Sequence, residues 1–117
     1  MVPATASNKA VSQLRRGVLE YCVMAVLRRG ERYGFDLVRE LSSVDGLLIS
    51  EGTIYPLLGR LRREGAVETA WQESTSGPPR RYYRLTDSGR LALETFTLEW
   101  MRFRASVDRV LTEERSA

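Results

Sequence analysis

Apolar residues recur at helical spacing in four stretches of the chain, and between the third and fourth stretch they alternate at strand spacing. From Ala10 to Arg29, the positions Leu14, Val18, Tyr21, Cys22 and Ala25 share one face, and Gly30 ends the pattern, which predicts a first helix. Tyr33 to Ser43 sets Gly34, Leu37, Val38 and Leu41 on one stripe against Asp36, Arg39 and Glu40 on the other, a short second helix. Asp45-Gly46 then signals a turn, followed by an apolar patch ending at Ile49. In the third stretch Ile54, Leu57, Leu58 and Leu61 fall at i, i+3, i+4 and i+7. Ser50 is placed to cap this helix, Glu51 in its first turn suits the helix dipole, and Gly65 supplies the stop.

Val67, Thr69 and Trp71 alternate with Glu68, Ala70 and Gln72, and Tyr82 to Leu85 forms a second β-prone run. The Ser-, Thr-, Gly- and Pro-rich segment Glu73 to Pro79 joins them, which predicts a hairpin with Arg80 and Arg81 at its tip or just inside it. Thr86 is placed to cap a last helix running from Asp87 to about Thr112. Within it Leu93, Phe96, Trp100, Phe103, Val107 and Val110 follow heptad spacing, with Leu91, Leu98 and Met101 expected to flank that seam. Three helices, a hairpin and a further helix make a mainly α (α+β) chain: a winged helix-turn-helix with a two-stranded wing and a long C-terminal helix. The expected organisation is a flexible arm over 1–9, the winged helix-turn-helix DNA-binding domain over 10–86, a dimerisation helix over 87–113 and a tail over 114–117.

The third helix carries the candidate chemistry. Opposite its apolar stripe lie Gly52, Pro56, Gly59 and Arg63, flanked by Thr53, Tyr55, Arg60 and Arg62. On a plain solvated helix Gly costs about 1 kcal/mol and an interior Pro about 3 kcal/mol relative to Ala. A helix laid into a major groove gains from small residues that let its backbone approach the duplex, and from Thr, Tyr and Arg that reach bases and phosphates. The competing explanation is that Gly59 relieves a crowded helix contact and Pro56 only bends the helix; on this helix alone the two stand level. In the wing, two adjacent guanidinium groups at Arg80 and Arg81 would neutralise phosphates, against the alternative of an ordinary solvated turn.

Composition narrows the classes by exclusion. The chain has 117 residues, enough for one domain and an appended helix, and a net charge of +3. Of its 18 basic residues only Lys9 is lysine, but arginine preference also follows from a GC-rich genome and decides little. There is no histidine, and the single cysteine, Cys22, stands in an apolar run suited to a buried structural thiol. An internal disulfide framework and a Cys/His metal site are thereby excluded, no nucleophile–base pair is recognisable, and no cofactor is implied. The longest apolar run, Tyr21 to Leu27, is too short to span a bilayer, and no signal-peptide pattern is present, so a cytoplasmic location without membrane partners is expected.

One helix cannot bury a heptad seam by itself, and the three preceding helices already make a compact unit. A partner chain is therefore expected at Leu93, Phe96, Trp100, Phe103, Val107 and Val110, giving a two-fold homodimer suited to palindromic double-stranded DNA.

Gly17 to Leu27, Tyr33-Gly34-Phe35-Asp36-Leu37, Gly52-Thr53-Ile54-Tyr55-Pro56-Leu57-Leu58, Arg60-Leu61, Glu64-Gly65, Arg81-Tyr82-Tyr83-Arg84-Leu85-Thr86 and Gly89-Arg90 occur in an order that resembles the PadR family of transcriptional regulators. The resemblance runs from about Leu14 to Trp100. It implies a dimeric winged-helix repressor that leaves its operator when an effector binds, of the short type with a single C-terminal dimerisation helix. It also implies that Tyr33 and Gly34 start the helix abutting the DNA backbone, that Ser50 to Tyr55 begin the recognition helix, and that Arg80 and Arg81 form the basic wing tip. Multidrug-sensing relatives have a tryptophan at the place of Trp100 that sandwiches flat aromatic ligands. Phe96, Trp100 and Phe103 would form such a slot here, unless Trp100 simply fills the dimer seam. Where relatives that take cationic drugs have an acidic group, this chain has Arg104, which suits an anionic or neutral aromatic effector. A second class of function is a winged-helix protein–protein adaptor without DNA-binding activity, for which a basic wing would be unnecessary.

Overall fold

A computed structural model describes residues 17–44, 47 and 49–113. The N-terminal arm, the start of the first helix, the Asp45-Gly46 turn and the tail lie outside the described residues. The described part of α1 covers 17–28 and buries Leu19, Val23, Met24, Val26 and Leu27. There follow β1 (Arg32–Tyr33), α2 (Gly34–Ser42), α3 (Glu51–Arg63), β2 (Val67–Ser74), β3 (Gly77–Leu85) and α4 (Asp87–Glu113).

The fold is mostly helical, with a three-stranded antiparallel sheet in the order β1-β3-β2. The wing is the two-stranded β2–β3 hairpin, as expected, and β1 adds a third strand to its sheet: Arg32 and Tyr33 pair with Tyr83 and Tyr82 of β3. Tyr33, expected inside the second helix, has extended backbone at φ −70° and ψ 140°, and α2 begins one residue later. A strand of two residues is too short for alternation to show in a sequence.

The expected stripes form the core. Leu37, Val38 and Leu41 of α2 meet Ile54, Leu58 and Leu61 of α3, with Val67, Tyr83 and Leu85 of the sheet and Leu93 of α4. Ile54 and Leu58 are fully enclosed, each burial favouring folding by about 1.5–3 kcal/mol.

Hydrogen bonds bind the loop after α3, the end of β3 and the start of α4 into one junction. The Thr86 N–H donates to the Ala66 carbonyl at 3.0 Å, and the Thr86 hydroxyl donates to the Gly65 carbonyl at 2.6 Å. Its oxygen also accepts from the Gly89 N–H at 3.0 Å, the capping bond expected of Thr86. Gly89 presses so closely on this loop that a Cβ there would lie 2.1 Å from the Ala66 oxygen.

The heptad residues of α4 divide. Leu93 is buried within its own protomer, and Phe96 stacks face to face on Tyr21 of α1 with ring centroids 3.8 Å apart. Farther along, Phe103 and Val110 are exposed. Leu91, Leu98 and Met101 are exposed as well. At 100° per residue Leu91 and Leu98 lie across the helix from Trp100, whereas Met101, adjacent to it in sequence, borders the seam.

Candidate nucleic-acid interface

Helix α3 turns Gly52, Thr53, Tyr55, Pro56, Arg62 and Arg63 outward. Pro56 sits inside the helix without stopping it, and the carbonyl that loses a partner is that of Gly52, four residues back on the exposed side. A side chain at Gly52 would meet only Ser50 Oγ at 3.8 Å, and one at Gly59 only the far end of Arg63 at 3.5 Å. Among the described residues nothing crowds either position, so the crowded-contact explanation for Gly59 has no support.

Ser50 occupies the position before α3, with its carbonyl accepting from the Thr53 and Ile54 N–H groups. Its hydroxyl does not cap a backbone N–H as expected; it pairs with Thr53 Oγ1 at 3.3 Å. Two polar oxygens thus stand together at the exposed start of the helix.

Gly34 and Tyr55, 21 positions apart in sequence, meet in space. A Cβ at residue 34 would lie 3.0 Å from Tyr55 Cε1 and 3.2 Å from its hydroxyl, so the ring rests on the bare first turn of α2. Partial burial, then the neighbouring Glu51 carboxylate, hold the Tyr55 phenol above its ordinary range.

Arg60 is placed differently from the other candidates. It is half-buried and ion-paired with Glu20 of α1 at 3.4 Å and with Glu64 at 3.3 Å. The Glu20 hydrogen bond contributes most to raising its already high pKa. Its charge is used to fasten α1 to α3, a role invisible across 40 residues of sequence. Arg63 has no such partner among the described residues.

The wing arginines part company. Trp71 faces Arg81 and Gln72 faces Arg80 across β2 and β3, and the pleat sends consecutive side chains to opposite sides. Arg80 lies with its guanidinium 4.7 Å over the Tyr33 ring, on the side where Tyr33 also approaches Tyr82 at 5.9 Å. Arg81 lies 4.9 Å over the Trp71 ring, on the side that buries Tyr83 and Leu85. The two guanidinium groups, adjacent in sequence, thus stand on opposite faces of the hairpin. Trp71, which the sequence reading treated only as a strand residue, is 64% exposed and belongs to this surface.

Tyr21 of α1 and Phe96, Trp100 and Phe103 of α4 form a ladder, with Trp100 6.2 Å from Phe96 and 6.4 Å from Phe103. A cavity of about 170 Å³ opens between Tyr21, Cys22, Leu93, Phe96 and Trp100. Arg104 is exposed one turn beyond Trp100. Burial pushes the Cys22 thiol above its ordinary pKa, which suits a structural residue. Among the described residues, no group of His, Cys, Asp or Glu is arranged to hold a metal ion, and no helix is long and apolar enough to cross a membrane.

Comparison with known proteins decides the family. The profile of the Transcriptional regulator PadR-like family matches residues 23–95, well over half of the chain. The chain belongs to that family. This PadR-like chain is similar to a PadR-like transcriptional regulator from Bacillus cereus, at 37% identity and a TM-score of 0.77, over 85% of this chain and 96% of that one. It is also similar to a PadR family transcriptional regulator from Eggerthella lenta, at 36% identity and a TM-score of 0.77, over 92% and 97% of the two chains. A transcriptional regulator of Mycobacterium tuberculosis is 35% identical over 81 residues, 69% of this chain and 74% of the relative. PadR-like proteins are DNA-binding transcriptional regulators of winged-helix fold and not enzymes, as the sequence reading expected.

Proposed function

We propose that this PadR-like regulator is a homodimeric repressor that binds a two-fold operator through α3 and the wing, and that a small aromatic effector releases it. The observation that carries the DNA contact is the outward face of α3, where Gly52 and Gly59 are bare although nothing among the described residues requires it. Thr53, Tyr55 and Arg63 beside them supply hydroxyls and a guanidinium for base edges and phosphates, with Ser50 at the helix start. Tyr33 and Gly34 open α2 where it abuts the DNA backbone, and the wing arginines add charge; Arg60 acts through the α1–α3 clamp. On this reading 10–86 is the DNA-binding unit and 87–113 the dimerisation helix of a cytoplasmic protein. Exposed Phe103 and Val110, with half-buried Trp100 and Val107, supply the apolar face for a second copy. The ladder of Phe96, Trp100 and Phe103, with Arg104 beside it, suits a planar neutral or anionic effector.

The test is a gel-shift and salt titration with the protein's own upstream DNA and an unrelated duplex. A specific, salt-sensitive shift at two chains per site is expected. Absence of any specific shift would favour a protein–protein adaptor.

A further inference from the structure

The two wing arginines stand in different surroundings, and the surroundings assign them different work. Arg80 shares the outer face of the sheet with Gln72, Glu68 and Arg84. There the Gln72 amide donates to Glu31 Oε1 at 2.8 Å, and Arg84 pairs with Glu68 at 2.7 Å. The charges on this face are largely matched, and Arg80 itself is stacked on Tyr33, the residue that joins β1 to α2. Its geometry is that of a strut between hairpin and helix-turn-helix.

Arg81 is on the opposite face. The same face of the hairpin buries Val67, Tyr83 and Leu85 against the helices, then runs past the end of the core, where Trp71 and Arg81 stand. Trp71 and Arg81 are the next pair but one beyond Val67 and Leu85 on this helix-facing side of the hairpin. Arg81 has no ion pair among the described residues, and its Nε–H is shielded and unpaired. Stacking on the indole occupies the flat face of the guanidinium and leaves its Nη edge for an acceptor. An arginine so held loses little further side-chain entropy when it meets a phosphate.

We infer that Arg81, braced by Trp71, is the wing's contact to the duplex backbone next to α3, whereas Arg80 positions the wing by stacking on Tyr33 and touches no phosphate. The inference rests on the DNA-binding reading above. Full-length variants are compared by fluorescence anisotropy with the upstream duplex across a salt series, and by thermal melting without DNA. Arg81→Ala is expected to bind about tenfold more weakly. Its plot of log affinity against log salt should be shallower by about 0.9, with the melting temperature retained. Trp71→Ala should weaken binding, and adding it to Arg81→Ala should cost nothing more, since the indole acts through the arginine. Arg80→Ala should keep the wild-type salt slope, and combining it with Tyr33→Leu should cost no more affinity than Tyr33→Leu alone. Wild-type slope in Arg81→Ala, or a loss of slope in Arg80→Ala, overturns the inference while DNA binding by the wild type stands. A wild type that binds no specific duplex overturns both.

Discussion

Replacing Gly89 with alanine tests how rigidly α4 is joined to the loop after α3 and the end of β3. The new Cβ would lie 2.1 Å from the Ala66 oxygen and 2.9 Å from both the Ala66 carbonyl carbon and Leu85 Cδ1. Two of these are backbone atoms, and that carbonyl is held by the Thr86 N–H while the Ala66 N–H bonds the Leu61 carbonyl at 2.9 Å. Relief therefore requires the loop or the first turn of α4 to move. Overpacking of this kind costs about 1–3 kcal/mol, and losing the Thr86 cap adds about 1 kcal/mol. Against this, alanine is better than glycine in a helix by about 1 kcal/mol. The net expectation is a loss of about 1–3 kcal/mol. With an unfolding entropy near 2.1 cal/mol/K per residue, a chain of this length should melt roughly 4–12 °C lower. The assay is thermal unfolding followed by circular dichroism, with both proteins at one concentration. The sign is decisive: an unchanged or higher melting temperature would mean that helix propensity outweighs the contact and that the junction yields, refuting the account of Gly89.

Gly52→Ala is the contrasting case, because the site is open: the variant should be as stable as wild type or up to about 1 kcal/mol more so, yet bind its operator at least several-fold more weakly, measured by melting and anisotropy together. Glu40 gives a pH dependence. Its carboxyl, hydrogen-bonded by Arg32 Nε at 2.9 Å, has a lowered pKa, so its contribution to stability is present above the unfolded-state value of about 4.3 and is lost as pH falls through the folded value. Glu40→Gln should therefore be less stable than wild type at pH 7, by less than about 1 kcal/mol for a half-buried pair still screened by solvent, and the difference should vanish on acid titration; a gap that persists at pH 2 would remove the carboxylate from the explanation.

Much of this was legible beforehand, for identifiable reasons. The α3 stripe of Ile54, Leu58 and Leu61, the β2–β3 hairpin and the Thr86 cap all leave periodic or local signatures. What escaped was long-range. Heptad spacing states that Leu93 is buried but not by whom, and here the protomer's own core takes it. The clamp from Arg60 to Glu20 joins elements with no shared pattern. The divergence of Arg80 and Arg81 follows from the pleat, yet an irregularity in register between Gln72 and Ser74 lies beside them and hides which strand partner each has. The bareness of Gly34 became intelligible only when Tyr55 was found lying on it.

That last contact bears on how such regulators can be re-engineered. Because the Tyr55 ring fills the space that any side chain at residue 34 would need, helix α3 is not an interchangeable cartridge: its seat is shaped by a residue on the preceding helix. A graft that carries α3 with its tyrosine into a scaffold lacking glycine at the matching place would displace that ring from its seat against α2 and, on the proposed DNA contact, alter readout although the α3 sequence is intact. Transplanting specificity therefore means moving the α2 start and α3 together.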